Sequence, residues 1–197
     1  MKKRVRISQL ALVLAASNAV ADVTHYTIDN DHTHVVWEVD RFGFTKTIGT
    51  FAEVSGTLVW NPSDITASHV TVSIPLSGLR SDLPLREDIV RSSFWLDSGE
   101  FPEITFESNS VVPSELARCA TTCFEVGGNL TIKGVSKSVT LQVALNKAGT
   151  DPVSQKQAVG FTAHGSFQRT DFDINTAVGP IGDEVRFRIE VLAIESE

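Results

Sequence analysis

The sequence predicts an all-β chain with one main helix, its strands closed into an antiparallel barrel. The first observation behind this is a two-residue apolar beat that recurs along the chain. It runs through Val35, Trp37, Val39, through Val70, Val72, Ile74, Leu76, and through Phe124, Val126, Gly128, Leu130, Ile132. It returns in Val139, Leu141, Val143, Leu145, in Val159, Phe161, Ala163, Gly165, Phe167, and in Val185, Phe187, Ile189, Val191. Period two marks strands with one apolar face and one wet face. The second observation is that the links are mostly short, which suits antiparallel neighbours. The third is economy: many one-faced strands in a modest chain must hide a common apolar face. A sandwich or a barrel does this, and only a barrel removes the sheet edges. A two-sheet sandwich is the alternative.

Taken in order, a short strand at 26–28 is followed by the Asp29-Asn-Asp31 turn cluster and a strand at 34–41. Phe42-Gly-Phe44 reads as a bend, and 47–60 as one long irregular strand whose Gly49 and Gly56 suggest bulges or a sharp curl. Asn61-Pro-Ser-Asp64 is a turn before a strand at 67–76. The beat then breaks. Asp82 as a cap, Pro84 early, Glu87 and Asp88 in the first turns, and Leu85 and Ile89 four apart predict a helix ending near Ser92 or Ser93. Strands resume at 103–109, 124–133, 137–146, 157–169 and 184–194, with a tight hairpin at Lys133-Gly134 and a long connection over 170–183. The total is about eight or nine strands.

The first 21 residues read as a signal peptide. Lys2, Lys3, Arg4 and Arg6 form a positive head, Leu10 to Ala16 a short apolar core, and Ala19-Val20-Ala21 a small-x-small cleavage site. The apolar run falls short of the ~20 residues that span a membrane. Residues 22–197 are then one exported domain, expected in the periplasm. Without the four basic residues of the leader its formal charge is −11. That balance argues against nucleic acid and anionic surfaces as electrostatic partners, though not against a neutral lipid inside the fold. Cys119 and Cys123 are the only cysteines. An oxidising compartment favours pairing them, and so short a loop gives only ~2 kcal/mol in the chain-entropy model.

A barrel of eight strands encloses an interior that side chains fill or that holds one small ligand. Gly128, Ala163 and Gly165 share the apolar parity, which favours a cavity, with the glycines as the missing volume. The inward parity and its rim supply the candidate ligand contacts: Trp37, Val72, Ile74, Phe94, Trp95, Phe106, Val126, Gly128, Leu130, Leu141, Phe161, Gly165, Phe167, Arg169, Phe187 and Ile189. A hydrocarbon chain suits such a wall, because burial of apolar area gives about 25 cal/mol per Å² with little polar desolvation. The helix and the stretch from Phe94 to Phe101 are candidate lids. Arg169 is expected either to meet a ligand headgroup or to lock the closing loop by pairing with Asp171.

Several segments together resemble the YceI-like family of exported, polyisoprenoid-binding proteins. They are Tyr26-x-Ile28-Asp29-x-x-His32-Thr33-x-Val35-x-Trp37, Gly49-Thr-Phe51 with Gly56, and Arg91-Ser-Ser before Phe101-Pro-Glu-Ile-Thr-Phe106. The others are Gly128-Asn-Leu130-Thr-Ile132-Lys-Gly134, Arg169-Thr-Asp171-Phe172, and Val178-Gly-Pro-Ile-Gly182-Asp183. The resemblance implies an extended eight-stranded lipocalin-like barrel with an apolar tunnel. It also implies a bound isoprenoid lipid, such as a quinone or its precursor, periplasmic residence, and transient contact with a quinone-using membrane protein. The chain departs from the family pattern at Arg41 and Ile89, where histidines are usual, at Phe94, where an aspartate is, and at Asp173, where a glycine is. These changes bear on the headgroup more than on the barrel.

Catalytic signals are weak. His32 and His34 share a face in an extended segment but lack a third clustered ligand, so a turn hydrogen bond suits His32 better than a metal. No GxSxG elbow, metalloprotease motif or phosphate loop occurs. Adjacent Glu87 and Asp88 suit a helix start rather than paired acid–base work. The expectation is therefore a binding protein, not an enzyme, with no metal and no cofactor beyond the lipid. The alternatives are a periplasmic stress-response protein without lipid cargo and, behind it, a metal-dependent hydrolase.

Overall fold

The outermost pair of a β-meander decides whether it stays open or closes, and here the last strand returns to the first. The computed structural model describes residues 23–114 and 122–197. Eleven strand segments occur: β1 (Thr24–Ile28), β2 (His34–Arg41), β3 (Thr45–Phe51), β4 (Ser55–Trp60), β5 (His69–Pro75), β6 (Leu79–Arg80), β7 (Glu103–Pro113), β8 (Cys123–Ile132), β9 (Val135–Thr150), β10 (Gln157–Gln168) and β11 (Ile181–Glu195). The one α-helix among the described residues, α1 (Pro84–Arg91), lies between β6 and β7.

The eleven segments make eight strands, because three strands are broken. β1 and β2 both pair with β11, β4 with β1, β3 with β2, and β6 with β3, so each of the couples β1–β2, β3–β4 and β5–β6 is one interrupted strand. Every pairing between these strands is antiparallel; those within the meander join consecutive strands of the eight, and β11 against β1 and β2 closes the ring. The result is an up-and-down barrel with one helix, as expected, and not a sandwich.

Local details differ from the sequence reading for physical reasons. The 47–60 stretch is broken between Gly49 and Gly56, at Glu53, whose φ is 63°. Gly49 serves close approach instead: a Cβ there would lie 2.2 Å from the Trp37 ring. Asp82 is not the helix cap. It sits at φ 58°, Leu83 takes the cap position without a side-chain bond, and the Glu87 carboxylate reaches back to accept from the Ser81 N–H. Lys133 and Gly134 both have positive φ, the backbone of a two-residue hairpin whose twist suits antiparallel strands. Cys123 begins β8, at the end of the barrel remote from α1. Its expected partner, Cys119, lies outside the described residues, as does the 1–21 leader.

The joint between β1 and β2 is a short turn over Asn30–His32. Asp29 caps it, accepting from the Asp31 N–H at 2.9 Å and meeting His32 Nδ1 at 2.9 Å. Thr33, fully buried, donates its hydroxyl to the Leu192 carbonyl and accepts from the Leu192 N–H, so both sides of the joint stay tied to β11. The contact with Asp29 raises the His32 imidazole above its ordinary 6.5. Burial alone would raise the Asp29 carboxyl, but His32 and the turn N–H groups outweigh it and lower it below 3.8. A raised histidine contributes fully below its unfolded pKa, and that share is lost as pH rises through the folded value. A lowered carboxylate contributes above its unfolded pKa and loses its share as pH falls through the folded value. The joint is therefore firmest between 3.8 and 6.5. His32→Ala should lower stability in urea titrations at about pH 5.5 and cost less at about pH 8.5. Equal losses at the two pH values would contradict this account.

Candidate functional site

Strand alternation aims one row of side chains per strand at the barrel axis. β2 contributes Val35, Trp37, Val39 and Arg41, β5 Val70, Val72 and Ile74, and β11 Val185, Phe187, Ile189 and Val191. These rows do not meet at the centre. They surround a cavity of about 390 Å³, within the usual size of small-molecule sites at about 300–1,000 Å³.

The two ends are built differently. At the end opposite α1, Trp60 packs edge-on against Phe124 at 5.6 Å and Phe161 at 5.1 Å between ring centroids, an aromatic plug. At the other end α1 lies over the barrel with Arg86, Ile89 and Val90 facing the cavity, the spacing of one helix face. Trp95 and Leu96 follow on the same wall. Ile89 is 48% exposed while lining the cavity, so the apolar surface runs continuously from inside to outside.

Arg169 holds this end together. It is 2% exposed, donates Nε to the Gly182 carbonyl, Nη1 to the Ile174 and Thr176 carbonyls, and Nη2 to the Ile181 carbonyl, all at 2.7–3.0 Å. Its guanidinium also stacks 5.1 Å from the Trp95 ring centre. Burial pushes its pKa below the ordinary arginine value, with Asp183 opposing. The expected salt bridge to Asp171 is absent among the described residues. The loop is locked by carbonyl oxygens, while Asp183 accepts from the Thr170 N–H and hydroxyl.

Thirteen of the sixteen candidate contacts line the cavity: Trp37, Val72, Ile74, Trp95, Phe106, Val126, Leu130, Leu141, Phe161, Phe167, Arg169, Phe187 and Ile189. Three do not. Phe94 is 74% exposed, its carbonyl accepting from the Thr176 hydroxyl while its neighbour Trp95 turns inward. Gly128 and Gly165 are covered by rings. A Cβ on Gly128 would lie 2.5 Å from Phe106 and from the Glu107 carbonyl, and one on Gly165 would lie 2.5 Å from Phe187. The glycines make room for those aromatic rings, not for a ligand. The sequence reading left Arg41, Arg86 and Val90 out of the site. Arg41 continues the parity of Trp37 and Val39, and Arg86 and Val90 the helical spacing, so both signals were present.

Among the described residues the cavity wall holds no carboxylate; its ionisable residues are Arg41, Arg86 and Arg169 at the α1 end and His69 at the other. The indole N–H of Trp37 is shielded from solvent with no acceptor among the described residues. His34 is exposed, His32 is engaged with Asp29, and no group of three His, Cys, Asp or Glu among the described residues is placed to hold a metal. The arrangement encloses an apolar body and offers hydrogen-bond donors to it.

Two expectations follow. Gly128→Ala and Gly165→Ala should overpack the wall and each lower stability by ~1–3 kcal/mol, read by urea denaturation; unchanged stability would mean the rings yield freely. Arg169→Met strands four carbonyls and should cost ~3 kcal/mol or more, with Arg169→Lys recovering little because an ammonium lacks the planar fork. Full recovery by lysine would show that charge, not the fork, holds the loop.

Known proteins agree with this geometry. The model of the YceI-like domain family matches residues 26–193. Protein YceI of Salmonella arizonae is 33% identical over 202 residues covering the whole of both chains, and protein YceI of Salmonella paratyphi B matches equally. Among solved structures, BcnA of Burkholderia cenocepacia superposes with a TM-score of 0.73 at 21% identity, covering 84% of this chain and 98% of its own. The YCEI protein of Campylobacter jejuni gives 0.67 at 22% identity, covering 78% of this chain and 88% of its own. A polyisoprenoid binding domain from Saccharophagus degradans, implicated in plant cell wall breakdown, gives 0.61 at 11% identity, covering 89% of this chain and all of its own. At these identities the structures speak for the fold, while the family model and the Salmonella relatives speak for descent: the chain belongs to the YceI-like family.

Proposed function

We propose that this protein is an exported, non-enzymatic carrier that holds an isoprenoid lipid, a quinone or its precursor, in the barrel cavity. The observation that carries the reading is a deep cavity walled almost entirely by hydrocarbon and aromatic side chains, with no carboxylate among its lining residues. A hydrocarbon chain gains there from apolar burial and loses few hydrogen bonds. Family membership and a neighbour named for polyisoprenoid binding support the chain type. The aromatic plug makes the α1 end the entrance, and a chain longer than the cavity would leave its head there. The leader over residues 1–21 supports delivery to the periplasm, where a Cys119–Cys123 bond would pin one hairpin tip. A quinone-using membrane protein is the donor or acceptor this reading suggests.

Organic extraction and mass spectrometry of protein purified from its native envelope tests the proposal. An isoprenoid lipid near one per chain is expected. Ala163→Phe and Val72→Trp, which place bulk into the cavity from two strands, should reduce recovered lipid while melting temperature holds. Absence of any isoprenoid from the native protein would overturn the carrier reading.

A further inference from the structure

Charge on the cavity wall is one-sided. The chain carries 24 acidic and 17 basic residues, yet the charged residues facing the cavity are three arginines and no carboxylate. All three stand at the α1 end: Arg41 closes β2, Arg86 lies on the inner face of α1, and Arg169 follows β10. They differ in what occupies them. Arg169 spends its donors on four loop carbonyls. Arg86 gives one N–H to the Ser81 carbonyl, and Arg41 lies over the Phe42 ring at 4.9 Å. Among the described residues neither Arg41 nor Arg86 pairs with a carboxylate, although Arg91 on the same helix pairs with both Glu87 and Asp88. Two guanidinium groups with donors to spare therefore face the entrance of an apolar cavity.

The opposite end presents no guanidinium; its polar lining residues are Ser68, Thr33 and the exposed imidazole of His69. The Ser68 hydroxyl accepts from the Asn61 N–H and the Thr33 hydroxyl is engaged with Leu192. An amphiphile entering this barrel meets hydrocarbon along its length and uncompensated positive charge at one end. A guanidinium presents a planar fork that matches carboxylate and phosphate oxygens, and beside low-dielectric walls its field is less screened than in water.

We infer that Arg41 and Arg86 form a headgroup site for an anionic amphiphile, an isoprenoid monophosphate or a carboxylate, bound with its tail toward Trp60. This rests on the carrier reading and sharpens it from a neutral to an acidic head. Arg169 is a positioning residue, fixing the loop and Trp95 beside the site.

Titration of the lipid-stripped protein with matched pairs below their micellar concentrations tests the inference: farnesyl monophosphate against farnesol, and hexadecanoate against hexadecanol, followed by tryptophan fluorescence. The charged member of at least one pair should bind about tenfold or more tightly than its alcohol. The phosphate and carboxylate arms identify the head. Arg41→Gln with Arg86→Gln should erase the preference to within roughly twofold, the charged members losing far more affinity than their alcohols. Arg41→Gln alone, at an exposed position, should lose part of it, Arg86→Lys should retain part of it, and Lys147→Gln, far along β9, should change nothing. Equal binding of acid and alcohol, or a preference that survives the double variant in a protein with unchanged melting temperature, overturns the headgroup site and leaves the carrier standing. Failure of all four probes to bind overturns both.

Discussion

β11 is hydrogen-bonded along both of its edges, to β10 over eleven residue pairs and, across the other edge, to β2 and then β1. The rest of the structure depends on that closure. A closed sheet satisfies its own backbone and leaves no edge, so the inward row of each strand has only the opposite rows to pack against. Eight strands set those rows apart by more than these side chains can span, and the difference is the cavity. The breaks at Asn30–His32 and around Glu53 let the strands follow the curl without giving up pairing on either side.

Closure settles the wall but not the ends, and the ends give the molecule its direction. One end is packed with aromatic rings in edge contact, which bury area without needing partners for polar atoms. The other is covered by segments that need polar tethers, because loops carry backbone groups that no ladder satisfies. Arg169 supplies those tethers from inside, and α1 is covered only in part, with Leu85 67% exposed. An apolar cavity with one aromatic-packed end and one loosely covered end has the shape to take an extended chain lengthwise.

The alternation of Val35, Trp37, Val39 and of Val185, Phe187, Ile189, Val191 made the barrel and most of its wall legible, because face is a local property of a strand. Volume is not local. Gly128 and Gly165 stand on the inward parity as read, yet Phe106 and Phe187 from neighbouring strands fill the space above them, which no single strand records. Arg41 was legible only as a departure from the family pattern, because its place at a strand end becomes a cavity mouth only once α1 and the loops cover that end. Asp82 carried the residue type of a cap, but the chain turns left-handed there and moves the helix start to Leu83. The pairing of Arg169 with carbonyls instead of Asp171 follows from the path of the 174–182 loop, fixed by tertiary contact.

The central claim is that a hydrocarbon chain lies along the barrel axis, against the inward rows. Isotope-edited nuclear Overhauser measurements between farnesol and methyl-labelled protein test it most directly. The account predicts cross-peaks to the inward methyls of Val72, Ile74, Leu141 and Ile189 and none to the outward methyls of Val36 and Ile48. Contacts confined to Val36 and Ile48, or none at all at saturating ligand, would contradict it.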